Sequence, residues 1–142
     1  MDVKVVLLVN AAEAPTRSRE GDAALDCCSS DYYTLFPKRV RKVPLGFSIA
    51  IPKGFVGLLS VRSGLSLKGV TLANGPGIID SNYRGEVSAL LLNAGSRNIT
   101  IAKGERVVQL TLLELPAVEI KVVRSPDETN RGHCGFGSSG KF

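Results

Sequence analysis

Tryptophan is absent from this 142-residue chain, histidine and methionine occur once each, and five phenylalanines and three tyrosines make up all the aromatics. No basic run exceeds KRVRK at 38–42. A groove that stacks unpaired bases on aromatic rings between cationic walls is therefore not expected, nor is any nucleic-acid partner. His133 is the only imidazole, so a Ser-His-Asp triad or a histidine-rich metal site would rest on it alone. Its polar, glycine-rich setting favours a side chain in solvent instead. Cysteine is as sparse. Cys27 and Cys28 are adjacent and Cys134 lies in the tail, so there is no C-x-x-C ligand spacing and no framework of half-cystines. We read them as reduced thiols of a cytosolic protein. No stretch approaches the ~20 apolar residues of a membrane-crossing helix. The opening MDVKVVLLVN is too short and too acidic at its start for a secretory leader. The expected location is the cytoplasm (for a viral protein, the cytoplasm or nucleus of its host), with no membrane partner.

What is present describes an ordinary globular chain. Hydrophobic residues make up 44% and charged residues 22%, and the length suits one domain with a real core. The formal charge is +5 with an isoelectric point near 9.3. Such a balance suits a polyanionic partner such as a phosphorylated small molecule, though it also serves solubility alone.

The strongest periodicity is two. Val43, Leu45, Phe47, Ile49 and Ile51 alternate with small or polar residues, which predicts a half-buried strand. Phe55, Gly57, Leu59 and Val61 continue the pattern after PKG, and Val108, Leu110 and Leu112 share a face opposite Gln109 and Thr111. VSALLLN (87–93) is apolar on both faces and belongs in a central strand or at a subunit contact. No window of a dozen residues carries a helical apolar stripe. Short strands punctuated by Gly, Pro and Asn predict an all-β sandwich or barrel over residues 1–124. From residue 125 the period is lost, and the polar, glycine-rich end at 125–142 reads as an arm that orders only against something.

Several short stretches carry groups suited to phosphate chemistry. GFGSSGK (135–141) approaches a P-loop, but Phe142 stands where Ser or Thr is needed and no strand–helix context surrounds it. Its glycines still let backbone N–H groups approach an anion closely, and Arg131, Ser138 and Ser139 add donors. Arg62, Ser63 and Gly64 end an apolar run, where guanidinium, hydroxyl and backbone N–H can meet phosphate oxygens. ANGPGIIDSNYRGEV (73–87) is too long for a simple hairpin turn and sets Asp80 three residues before Tyr83.

In chain order, AALDCCSS (23–30), RSGLS (62–66), NGPGIIDSNYRGE (74–86), GERVVQL (104–110) and RGHCGFGSSG (131–140) resemble the five motifs of the homotrimeric all-β dUTPases, the deoxyuridine triphosphate nucleotidohydrolases. The first motif departs most, with Ala24 where glycine is usual, and Asn82 replaces the second aspartate of the third.

The resemblance implies a distorted jelly-roll or β-barrel with a flexible C-terminal arm. It also implies hydrolysis of dUTP at the α-phosphorus to dUMP and pyrophosphate, which limits uracil in DNA and supplies dUMP. Asp80 would be the general base. Asn74, with the backbone of Gly77, Ile78, Ile79 and Ser88, would read uracil, and Tyr83 would exclude a 2′-hydroxyl. Arg62, Ser63, Gly64 and Gln109 would hold phosphates. From a neighbouring subunit, Arg131 and Ser138 would meet the γ-phosphate, with Phe136 stacked over the base beside Gly137. Mg²⁺ would be held chiefly by substrate phosphates, with Asp26 reaching its water shell. Two alternatives share the fold: a dCTP deaminase using a glutamate such as Glu86, and a dUTPase that also binds repressor proteins, as some phage members do. The latter role often travels with an insertion, and none lies between 93 and 104.

Overall fold

The computed structural model describes residues 3–8 and 10–135, and within them eleven strands and a single helical turn. The strands are β1 (Lys4–Leu7), β2 (Leu25–Cys28), β3 (Tyr33–Leu35), β4 (Val40–Pro44), β5 (Phe47–Ala50), β6 (Phe55–Val61), β7 (Val70–Leu72), β8 (Gly77–Ile79), β9 (Ser88–Asn93), β10 (Ile99–Ile101) and β11 (Arg106–Glu114). The turn, α1 (Ser63–Ser66), follows β6 directly. β2, β11, β6 and β8 form one sheet in that order, and β4, β9 and β7 another; β1 pairs with β5 and β3 with β10. Every pairing is antiparallel. Neighbours are rarely consecutive in sequence, so the chain crosses repeatedly from sheet to sheet, as in a jelly roll. Among the described residues no helix is long and apolar enough to cross a membrane.

The period-two reading holds for burial. Val43, Leu45, Phe47, Ile49 and Ile51 are all core residues. They do not form one strand, however. Gly46 breaks the run with a φ of +76°, β4 pairs with β9, and β5 turns to β1. Only glycine adopts that conformation without strain, and a Cβ there would also lie 2.6 Å from the Ala11 Cα. β9 is central to its sheet, as its apolar sequence required. Ala89, Leu91 and Asn93 enter the core while Ser88, Leu90 and Leu92 are half-exposed. The basic run 38–42 lies along and beside β4, an edge strand, where charge discourages edge-to-edge pairing. There Arg41 stacks its guanidinium over the Tyr33 ring.

On β11 the simple alternation fails at one place. The register against β2 shifts between Arg106 and Val108, so the strand is bulged, and Val107 and Val108 are both fully buried. Gly57 of β6 marks a tight spot behind the four-stranded sheet. A Cβ there would meet Ile51 Cδ1 at 2.8 Å, Leu110 Cδ1 at 3.1 Å and Ile79 Cβ at 3.2 Å. Beyond Glu114 no further strand forms among the described residues. Val118, Ile120, Val122 and Val123 keep an apolar spacing yet stand exposed, Val122 at 98%.

Candidate active site

The segment 73–87 is not a hairpin. β7 before it pairs with β9, and β8 within it pairs with β6 of the other sheet. The loop 73–76 thus carries the chain between sheets, and 80–87 carries it back, because each flanking strand has a better-matched partner elsewhere. A cavity of about 260 Å³ opens at this crossing. Asn74, Gly77, Ile78, Ile79, Asp80, Tyr83 and Ser88 all line it, so the base- and sugar-facing residues predicted within the described part of the chain are brought together. Leu59, Leu72 and Leu90 supply apolar walls, with Lys42, Glu86 and Val87 completing the lining. Those walls were not singled out from sequence because each reads as ordinary core alternation.

Around the cavity the loop is held by its own bonds. Tyr83 N–H donates to Asp80 O (3.1 Å) and Tyr83 Oη donates to Glu86 O (3.0 Å). The ring folds back over Gly85, where a Cβ would lie 2.7 Å from its Cζ. A side chain at 85 would therefore push the ring away. Glu86 accepts the Gly46 N–H at Oε1 (3.1 Å), which ties the loop to the β4–β5 break. That structural duty removes part of the argument for Glu86 as a deaminating carboxylate. Asp80 is exposed at the cavity, directly after β8.

Two of the predicted phosphate-holding residues, Arg62 and Gln109, form a second, separate group around Asp26. Asp26 on β2 is buried, and polar groups converge on both its oxygens. Arg62 Nε (3.1 Å) and Gln109 Nε2 (3.3 Å) meet Oδ1, while Ser18 Oγ (2.7 Å) and Arg106 Nη1 (3.5 Å) meet Oδ2. Arg106 Nη1 also donates to Ser18 Oγ (2.9 Å), closing a small ring. Two guanidiniums against one carboxylate leave this cluster cationic, and a cavity of about 440 Å³ opens over it. Ser63 and Gly64 begin α1 just beyond Arg62, where a helix's first N–H groups lack intrahelical partners.

Arg106 and Ser18 were missed by the sequence reading. In a regular pleat Arg106 and Gln109 point to opposite faces. The bulge between Arg106 and Val108 turns both toward Asp26. Ser18 lies in an irregular loop joined to β2 by a Thr16–Asp26 bridge, which no periodicity announces.

The two cavities share no lining residue. Arg131, exposed, donates its Nε to Cys134 O (2.9 Å) in a terminal turn and lines neither. Phe136, Gly137 and Ser138 lie outside the described residues. The two thiols of β2 are shielded by position, whereas Cys134 is exposed: burial pushes the Cys27 pKa up to about 12. Cys28 is also raised, first by burial and then by the nearby Glu13 carboxylate. Among the described residues no three His, Cys, Asp or Glu side chains cluster as metal ligands.

Comparison with known proteins identifies the family. The dUTPase family model matches residues 10–140. The deoxyuridine 5′-triphosphate nucleotidohydrolase of Zymomonas mobilis is 43% identical over 127 residues, covering 89% of this chain and 87% of that protein. The vaccinia virus (strain Copenhagen) protein of the same name is 38% identical, covering 97% and 92%. Among solved structures, a point mutant of the Staphylococcus bacteriophage 80alpha dUTPase with dUpNHpp superposes with a TM-score of 0.90 at 28% identity, covering 98% of each chain. A mutant dUTPase from phage phi11 of S. aureus, described with a structural Mg(II) ion, gives 0.81 at 25% identity, covering 88% of this chain and 98% of that one. With a matching family model over nearly its whole length, this chain belongs to the dUTPase family.

Proposed function

We propose that the chain hydrolyses dUTP to dUMP and pyrophosphate, at a site shared between copies of the chain. The observation that carries this reading is the division of labour within one protomer. One cavity has the size and lining of a nucleoside pocket with a carboxylate at Asp80. The other is a cationic cluster built on Arg62 and Arg106, and the two are lined by different residues. A nucleoside triphosphate that uses both is bound most simply between chains, which fits a homotrimer with shared sites.

In this scheme the uracil edge enters the cavity beside Asn74 and the backbone of Gly77, Ile78, Ile79 and Ser88. Cytosine presents reversed donors and leaves buried groups unpaired, a loss on the order of 10⁴-fold. The Tyr83 ring packs on the deoxyribose and fills the space of a 2′-hydroxyl. Asp80 takes a proton from the attacking water as general base. The water oxygen bonds to the α-phosphorus, the bond from that phosphorus to the bridging oxygen breaks, and pyrophosphate leaves. Arg62, Ser63, Gly64 and Gln109 of the neighbouring chain hold the phosphates, with Arg106 adding charge from below. Positioning and charge stabilisation do most of the work in such a transfer. Arg131, Phe136, Gly137 and Ser138 are assigned to a third chain's arm, over the γ-phosphate and base.

Mg²⁺ belongs to this reading as an ion carried on the triphosphate. A hard cation accepts phosphate and water oxygens as its ligands and neutralises their charge. The residues present fit that arrangement better than an all-protein cage. Asp26 is the carboxylate at the centre of the cationic cluster, with both oxygens already engaged, so it would reach the ion's water shell by releasing one of its present partners.

Pyrophosphate release measured with dUTP, dCTP, dTTP and UTP tests the proposal. Strong preference for dUTP is expected. Turnover of dCTP with ammonia release would replace it with the deaminase reading.

A further inference from the structure

Ser88 Oγ is the one buried side-chain nitrogen or oxygen without a hydrogen-bond partner among the described residues. Such an orphan is uncommon, because a buried hydroxyl normally finds a partner and is costly to leave without one. Its position is informative. Ser88 opens β9, whose alternation sends Ala89 and Leu91 into the core and Ser88 and Leu90 to the cavity. The surrounding walls, Leu59, Leu72 and Leu90, offer it no polar atom.

The backbone of the same residue also faces the cavity. Leu45 N–H donates to Val87 O (3.0 Å), which fixes the alternation of bonded pairs between β4 and β9. Ser88, opposite Pro44, therefore turns its own N–H and carbonyl away from β4, to the side on which β7 would continue. β7 stops short: its last pair is Leu72 with Leu91, and Ala73 N–H then donates to Leu90 O (2.8 Å). Ser88 thus lines the cavity with a backbone edge that β4 does not use and a buried hydroxyl that no protein group satisfies.

We propose that the Ser88 hydroxyl is a base-reading group, completing its hydrogen bonding on the polar edge of the pyrimidine. The proposal rests on the reading of this cavity as the nucleobase pocket and adds a side-chain contact to the backbone contacts assigned there. A serine hydroxyl donates one hydrogen bond and accepts two, and it rotates freely. It strengthens the hold on a base whichever polar atom that base presents, and leaves the choice between uracil and cytosine to the fixed groups, Asn74 and the backbone. The free protein carries the unpaired hydroxyl as a standing penalty that is relieved on binding.

Two readouts that normally move together should therefore separate. Ser88→Ala should raise the Kd for dUMP about five- to tenfold, the loss of one hydrogen bond. Inhibition of dUTP turnover by inorganic tripolyphosphate, which has no base, should be unchanged. The melting temperature of the nucleotide-free variant should be equal to or above that of the parent, because the orphan is gone. Ser88→Cys, similar in size but a weak donor, should fall between the two and keeps the test open should the alanine variant fold poorly. Parent-like dUMP affinity in Ser88→Ala or Ser88→Cys would overturn the proposal, as would an equal loss of tripolyphosphate inhibition. Should the parent itself bind inorganic tripolyphosphate but not dUMP, the pocket assignment fails first and the proposal with it.

Discussion

Two inactive forms of this protein should restore one another in a fixed proportion. Arg62→Ala removes one guanidinium of the cationic cluster over Asp26, and Asp80→Asn removes the carboxylate proposed as base at the other cavity. Each should cost roughly two to three orders of magnitude in turnover on its own. The two residues line different cavities of the same protomer. If a site takes its cationic cluster from one chain and its cavity from the next around a three-fold ring, the outcome can be counted. A mixed ring holds two chains of one variant and one of the other. Of its three junctions, one joins an intact cluster to an intact cavity, and one joins the two damaged halves. Tandem-purified mixed rings, co-expressed with two different tags, should thus recover about one third of parental activity. The assay is pyrophosphate release from dUTP, with each variant alone as background. Activity no greater than that background, in rings proven to be mixed, would show that each chain completes its own site.

The remaining predictions concern the supports of the site. Gly85→Ala places a methyl against the Tyr83 ring, so kcat/KM for UTP relative to dUTP should rise at least about tenfold, equivalent to 1.4 kcal/mol, with little change in Tm. A constant ratio would mean that the ring does not read the sugar. Gly46→Ala combines a φ of +76° with a Cβ 2.6 Å from the Ala11 backbone and should cost about 3 kcal/mol or more. Gly54→Ala, at φ +87° with nothing within 4 Å, should cost only about 1–2 kcal/mol. Equal losses by denaturant titration would discredit the steric argument. At pH 8 a thiol reagent should label exposed Cys134 quickly and leave Cys27, whose pKa burial pushes up to about 12, untouched. Rapid labelling of Cys27 would mean that β2 opens readily.

Much of this molecule was legible because short β-strands write their burial into the sequence. The burial of Val43 to Ile51 was recovered from alternation, and the central place of β9 from a sequence apolar on both faces. What alternation cannot convey is where a strand changes partners. The break at Gly46 and the crossing at 73–76 depend on which sheet offers each strand a better edge, and that information is long-range. The base-side residues were found together because one contiguous motif encodes them. Arg106 and Ser18 escaped for the opposite reason. One depends on a bulge that reverses the pleat, and the other on a loop that folds onto a strand.

Gly57 has a mechanical consequence. It lies opposite Ile79 in the β6–β8 register, with three side chains already in the volume its own would need. The next residue along β8's exit is Asp80. This close packing therefore bears on Ile79, one peptide bond from the carboxylate proposed as base, so the fit around Gly57 helps to fix where that carboxylate stands. Misplacement by about 1 Å can cost a hundredfold in rate, far more than it costs in stability. Warming that merely loosens the contacts around Gly57 should accordingly lower turnover before any strand separates. An activity–temperature curve that tracks the melting curve throughout would deny this coupling. Where the coupling holds, the temperature limit on catalysis is set by the fit of Ile51, Ile79 and Leu110 around a missing side chain, and the fold survives beyond it.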